Sequence, residues 1–331
     1  MPADQPHMPF RRRVRYLIET GAFFAVIGFF RLFNTDRASA IGSWIGRKLV
    51  GRTFLSDRAQ RNLRLSFPEK SEVEIAAILD EMWDNLGRVM AEYAHFNEIC
   101  WRGPNSRITV GGLDNLEAAI ARNKGMIMVS GHLANWEIMA IAAREYGITG
   151  GLVVRKPNNP YVSRWLDALR SGKGMPEQIA KGANGTRRIF TLLRKRGNIL
   201  LLADQRASEG ILVPFFGRDA FTTPAPASLA LKLGATIVPV GNRRVGGARF
   251  HIHVYPPIEA PNTGDHDKDV LLLTAAITRF IEERVRECPG QWLWVHKRWV
   301  KENAPMRKRA LAQTAVPALS RSGSNSTAIS E

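Results

Sequence analysis

His132 and Glu137 stand five positions apart in GMIMVSGHLANWEIMAIAAREYG, where a strand-like apolar run gives way to a helix-like one. A histidine beside a carboxylate is a base with its orienter. The carboxylate accepts from Nδ1–H, which leaves Nε2 as an aimed acceptor for a hydroxyl proton. Residues five apart on a regular helix are turned by roughly 140° from one another and share no face. A working pair therefore requires His132 on a bent lead-in, with Glu137 in the first helical turns reaching back towards it. The competing reading is an N-capping histidine and a surface glutamate, and spacing alone leaves both open. Ser130 is close by, but no GxSxG elbow surrounds it, which argues against a serine hydrolase.

The elements that must hold this pair follow from periodicity. GMIMVS suits a strand buried on both faces, and after Gly131 the apolar residues recur at nearly helical spacing until Gly147. Ser71 and Glu74 form a capping box that opens a helix running towards Ala94. From Ile108 onward, strands are predicted at 108–110, 126–130, 151–155, 198–204, 236–242 and 250–255. Helices are predicted at 115–122, 161–170, 185–195, 225–233 and 270–286. This alternation implies an α/β fold with a largely parallel central sheet flanked by helices. Ligands of such sheets gather at the carboxyl ends of the strands. Those ends bring His132 and Glu137 together with Arg155, Lys156, Asp204, Gln205, Arg206, Asn242, Arg243 and Arg244.

The 331 residues carry 47 Lys and Arg against 30 acids, a formal charge of +17. That surplus points to an anionic partner: phospholipid, a phosphorylated substrate, an acidic carrier protein or nucleic acid. None of the usual DNA or RNA motifs is present, so a non-enzymatic nucleic-acid-binding protein explains the charge and little else. The two cysteines, Cys100 and Cys288, fit no zinc or CxxC spacing and suit a reducing, cytosol-facing location. His251 and His253 share a strand face but lack a third ligand, and no metal is expected.

Arg11, Arg12, Arg13 and Arg15 precede the apolar run GAFFAVIGFF at 21–30. Ten apolar residues fall short of the roughly 20 that span a bilayer. The better expectation is a membrane-anchoring helix lying in or dipping into the surface, with its arginines on anionic headgroups. A secretory signal cleaved near Ala38-Ser39-Ala40 is the rival, and Arg31, Asp36 and Arg37 before that triplet weigh against it. The resulting division is an anchoring region at 1–50, a catalytic domain at 51–303 and a disordered basic tail at 304–331.

The ordered segments RNLRLSFPEKSE (61–72), SGHLANWE (130–137), VVRKPNNP (153–160), LLADQR (201–206), VPFFGRDAFTTPAPASLALKLGATIVPV (213–240) and PGQWLWVHKRW (289–299) carry a family resemblance. The chain resembles the lipid A late acyltransferases, within the wider lysophospholipid (glycerolipid) acyltransferase superfamily, over nearly its whole length to about Val300. The resemblance implies transfer of a fatty acyl group from a thioester, usually on acyl carrier protein, to a hydroxyl of a lipid A precursor. It also implies a place on the cytoplasmic face of the cell inner membrane. In that reading His132 and Glu137 are the HX4E dyad, with neither an acyl-enzyme nor a cofactor required. Arg170 falls where the family has an arginine near the catalytic acid, either steadying Glu137 or meeting phosphate. Asp204 matches an acidic position expected to organise the pocket arginines, and Arg155 and Arg206 are candidate phosphate clamps. A lysophospholipid or mannolipid acceptor, and coenzyme A as donor, stay open.

Overall fold

Every residue of Met126–Ser130 is buried, because this strand has a parallel neighbour on each side and helices over both faces. The computed structural model describes residues 8–171, 174–207 and 210–299. The expected tail at 304–331 lies outside them. Four helices come first: α1 (Phe10–Arg31), α2 (Thr35–Lys48), α3 (Leu55–Ser66) and α4 (Glu72–Glu92). Ser71 and Glu74 close the capping box at the start of α4. There follow β1 (Ile108–Gly111), α5 (Leu113–Ala121), β2 (Met126–Ser130), α6 (Ile138–Tyr146), β3 (Gly150–Val154) and α7 (Pro160–Leu169). The chain continues through β4 (Glu177–Ala180), α8 (Ala183–Arg194), β5 (Asn198–Leu202), β6 (Ile211–Phe215) and β7 (Arg218–Thr222). The described residues continue with α9 (Ala225–Leu233), β8 (Thr236–Gly246), β9 (Arg249–Val254) and α10 (His266–Glu287).

Seven strands form one sheet in the order β1-β9-β8-β2-β5-β3-β4, while β6 and β7 make a separate hairpin. Five neighbouring strands, β8 to β4, run parallel, and β9 turns back against β8. The sheet is thus largely parallel, as expected. β5 and β3 lie on one side of β2 and β8 on the other, so the connections diverge around β2. Such a divergence leaves a crevice beyond the strand ends.

In the region expected to anchor the chain, α1 and α2 differ in character. α2 turns Ala38, Ser39, Gly42, Ser43 and Gly46 into a tight crossing with α4. A Cβ on Gly42 would lie 2.4 Å from the Gly87 carbonyl oxygen, so the backbones touch. Ala38 and Ser39, two residues of the small-residue triplet, are buried in this crossing.

α1 is apolar on two faces. Tyr16, Ile27 and Phe30 are buried, and Phe23 and Phe24 pack edge-on against Trp165 of α7. Phe10, Val14, Leu17, Ile18, Phe24, Val26, Phe29 and Leu32 stay exposed. At 100° per residue these eight fall within an arc of about 200°. No helix among the described residues is long and apolar enough to cross a membrane.

Candidate active site

β2 and β5 are paired in parallel with Ser130 opposite Leu202, and the ladder continues as Ala203 N–H donates to the Ser130 carbonyl. His132 and Asp204 each stand two residues beyond that pair. The register therefore sets them side by side. Asp204 Oδ1 is 2.7 Å from His132 Nδ1, and Oδ2 accepts from the His132 backbone N–H at 2.7 Å and from Trp292 Nε1–H at 2.8 Å.

Burial alone would raise the Asp204 carboxyl, but the His132 imidazole and these hydrogen bonds outweigh it and hold the group well below the usual carboxylate range. An ionised carboxylate only accepts, so the proton between the two groups belongs to His132 Nδ1. The neutral ring then carries its lone pair on Nε2. This corrects the expected dyad: the carboxylate on Nδ1 is Asp204, not Glu137. Asp204 in turn has His132 and Trp292 as its partners instead of the pocket arginines.

Glu137 faces elsewhere because α6 begins only at Ile138 and residues 131–137 form a loop, with Ala134 at φ 48°. Arg170, immediately after α7, grips Glu137 with Nε to Oε2 at 2.8 Å and Nη2 to Oε1 at 2.5 Å. Tyr93 donates its hydroxyl to Oε1 at 2.9 Å. Burial opposes the Arg170 charge, but Glu137 more than compensates and its basicity rises. Burial and the same carboxylate push the Tyr93 phenol well up, so it stays a donor. Glu137 thereby joins the ends of α4 and α7 to the start of α6.

The 131–137 loop is pinned from three directions. Ala134 N–H donates to the Gln291 carbonyl, and Asn85 Nδ2 donates to the Ala134 carbonyl. Asn242 Nδ2 reaches the carbonyls of Leu133 and Asn135. Asn135 Nδ2 donates to Glu92, which is held by the fork of Arg244. A buried, hydrogen-bonded ion pair thus fixes the loop that carries His132.

His132 opens on a cavity of about 260 Å³. Glu137, Tyr93, Arg170, Arg155 and Gln205 surround its polar part. The remainder is apolar, lined by residues such as Met128, Met139, Ala143, Leu200, Val240 and Ile252 between the sheet and α5 and α6. It reaches Tyr146, whose ring stacks on Trp101 at 6.0 Å. α6 runs from the histidine end to Tyr146, and nine residues at 1.5 Å each give a length of about 13 Å.

Arg155 is exposed on the cavity lining. Arg206 is outside it, exposed, with its guanidinium 5.7 Å over the Phe221 ring. The structure therefore brings Arg155, but not Arg206, onto the cavity lining. Tyr93, Trp292 and His296 join the site from segments the sequence did not mark for chemistry. Trp292 spends its indole N–H on Asp204. The PGQWLWVHKRW segment, rich in buried tryptophan with one histidine, was the available signal.

The Asp204 shift has a measurable consequence. Its folded value lies below the unfolded 3.8, so its contribution is fully present above that pH and is lost as pH falls towards the folded value. Below pH 3.8 the parent should lose up to about 1.4 kcal/mol per pH unit more than Asp204→Asn. Urea unfolding from pH 5 to 3 checks this, and equal slopes would refute it.

A histidine held by a buried carboxylate on the lining of a largely apolar cavity is an arrangement that suits an enzyme acting on a molecule with an apolar chain. Comparison with known proteins narrows the class to acyltransferases. The family model for bacterial lipid A biosynthesis acyltransferases matches residues 7–301, and the chain belongs to that family. It is 27% identical over 274 residues to the lipid A biosynthesis palmitoleoyltransferase of Escherichia coli (strain K12), covering 78% of this chain and 83% of that one. The lipid A biosynthesis lauroyltransferase of the same strain is 28% identical over 276 residues, with 78% and 84% covered. A phosphatidylinositol mannoside acyltransferase of Mycobacterium tuberculosis (strain ATCC 25618 / H37Rv) is 27% identical over 209 residues, covering 61% and 63%.

Proposed function

We propose that this acyltransferase moves a fatty acyl chain from an acyl carrier protein thioester to a hydroxyl of a lipid A precursor at a membrane surface, with His132 as general base. The observation that carries the reading is His132 with its Nδ1 on Asp204 and its ring on the lining of the largely apolar cavity. The acyl chain would occupy the cavity, where each buried CH₂ contributes about 0.8 kcal/mol. The thioester carbonyl would then rest beside His132.

The acceptor hydroxyl gives its proton to Nε2 as its oxygen attacks the carbonyl carbon. The C–S bond then breaks, the ester forms, and the imidazolium returns the proton to the leaving thiolate. Asp204 steadies the ring and its charged form. Arg155 at the cavity and the family's relatives that act on lipid A support a phosphorylated acceptor. The surplus of 17 positive charges favours an acidic carrier as donor. The exposed apolar arc of α1, with Arg11, Arg12, Arg13 and Arg15 at its start, supports seating in an anionic membrane surface. On that reading the protein works at the cytoplasmic face of the inner membrane.

The mannolipid-acylating relative makes a mannolipid the second acceptor to examine. Purified protein in anionic phospholipid vesicles should add one acyl chain to a lipid A precursor from acyl carrier protein, seen by mass spectrometry. Acylation of a mannolipid or lysophospholipid in its place would overturn the acceptor assignment. A coenzyme A thioester serving equally well would overturn the donor assignment.

A further inference from the structure

Gln205 follows Asp204 directly, so one strand end supplies the polar partner of each nitrogen of the His132 ring. Its side-chain amide nitrogen lies 3.2 Å from His132 Nε2 and 3.4 Å from His296 Nε2. The two imidazoles are themselves 5.5 Å apart, centre to centre. Because Asp204 fixes the His132 proton on Nδ1, Nε2 presents a lone pair, and the atom matching it must be a donor. The amide NH₂ has two hydrogens, one for each Nε2. Burial lowers the basicity of His296 and so favours its neutral form, and because an amide N–H faces its Nε2, that nitrogen accepts when the ring proton sits on Nδ1.

This arrangement caps the atom that has to take the acceptor's proton. Both contacts are long for hydrogen bonds, so little is lost when one is exchanged. A hydroxyl arriving at Nε2 displaces one amide N–H and leaves it beside the carbon under attack. We propose that Gln205 is a catalytic residue: the N–H displaced from His132 donates to the thioester oxygen as negative charge develops there, while His296 retains the other N–H and holds the amide in place. The inference rests on the acyl-transfer reading with His132 as base. No atom is added to that reaction. The hydroxyl proton still goes to Nε2 and then to the thiolate, and the oxyanion collapses back to a carbonyl as the C–S bond breaks.

A positioned oxyanion donor acts in the transition state and not in ground-state binding. Gln205→Met keeps the length of the side chain and removes the donor. Gln205→Glu keeps its shape and cannot donate when ionised. Both should lower kcat by about 10²- to 10³-fold, with KM for donor and acceptor within about threefold of the parent. His296→Phe removes only the tether and should cost less, on the order of tenfold in kcat, with the same split.

The assay uses the full chain in vesicles with acyl carrier protein thioester and lipid A precursor, alongside His132→Ala. Should one glutamine variant fail to fold, the other gives the same comparison. A kcat within threefold of the parent, or a loss confined to KM, with His132→Ala inactive, would overturn the role of Gln205 and leave the base assignment standing. His132→Ala as active as the parent would instead overturn the reading on which the inference rests.

Discussion

His132→Ala is expected to lower kcat by about 10²- to 10⁴-fold while the protein still folds. The His132 side chain keeps 14% of its surface exposed, so its removal opens no deep void. Asp204→Asn should reproduce much of that loss, because an amide in place of the carboxylate neither stabilises an imidazolium nor fixes the Nδ1–H tautomer. The cost to stability will differ. Asp204→Ala would strand the His132 backbone N–H and the Trp292 indole N–H in the interior, at about 1 to 3 kcal/mol for each unsatisfied donor. Activity and urea unfolding measured together on the three variants separate the roles. An Asp204→Asn enzyme with parental kcat would show that the aspartate only supports the fold.

Glu137→Ala carries the second large effect, and stability is its main readout. The Glu137 and Arg170 side chains keep only 7% and 10% of their surface exposed, so removing the carboxylate leaves a buried guanidinium with no counter-charge. The expected cost is about 3 to 5 kcal/mol. Arg170→Met should be nearly as damaging alone, and the double variant Glu137→Ala, Arg170→Met should recover part of the loss because no unpaired charge remains. Denaturant unfolding of the four proteins completes the cycle. Strict additivity would contradict the pairing. Since the pair joins α4, α6 and α7 around the cavity, activity should fall mainly through weaker substrate binding, as a rise in KM.

The sequence located most elements because their signals are local. β2 and α9 match the expected bounds, and the capping box closes as Ser71 and Glu74 predicted. β4 went unread because EQIA is a short edge strand with a single buried residue. The β6–β7 hairpin went unread because Pro214 interrupts its strand pattern. The site was half legible. His132 declared itself at a strand-to-helix junction, but its partner was assigned by sequence proximity. The nearest acid, Glu137, is turned to Arg170 by a loop that bends through Ala134. The actual partner lies 72 residues away, and only the β2–β5 register reveals it. Parallel register is set by packing between distant segments, for which a single sequence holds no local signal. Gln205 was read at the same sheet edge but not as a neighbour of the His132 ring, and His296 was not singled out.

The protonation of the His132 ring decides which carboxylate steers it. Protein labelled with ¹⁵N at histidine should show neutral His132 protonated at Nδ1, unchanged by Glu137→Gln and lost or mixed in Asp204→Asn. A ring whose tautomer responds to Glu137→Gln and ignores Asp204→Asn would contradict the account.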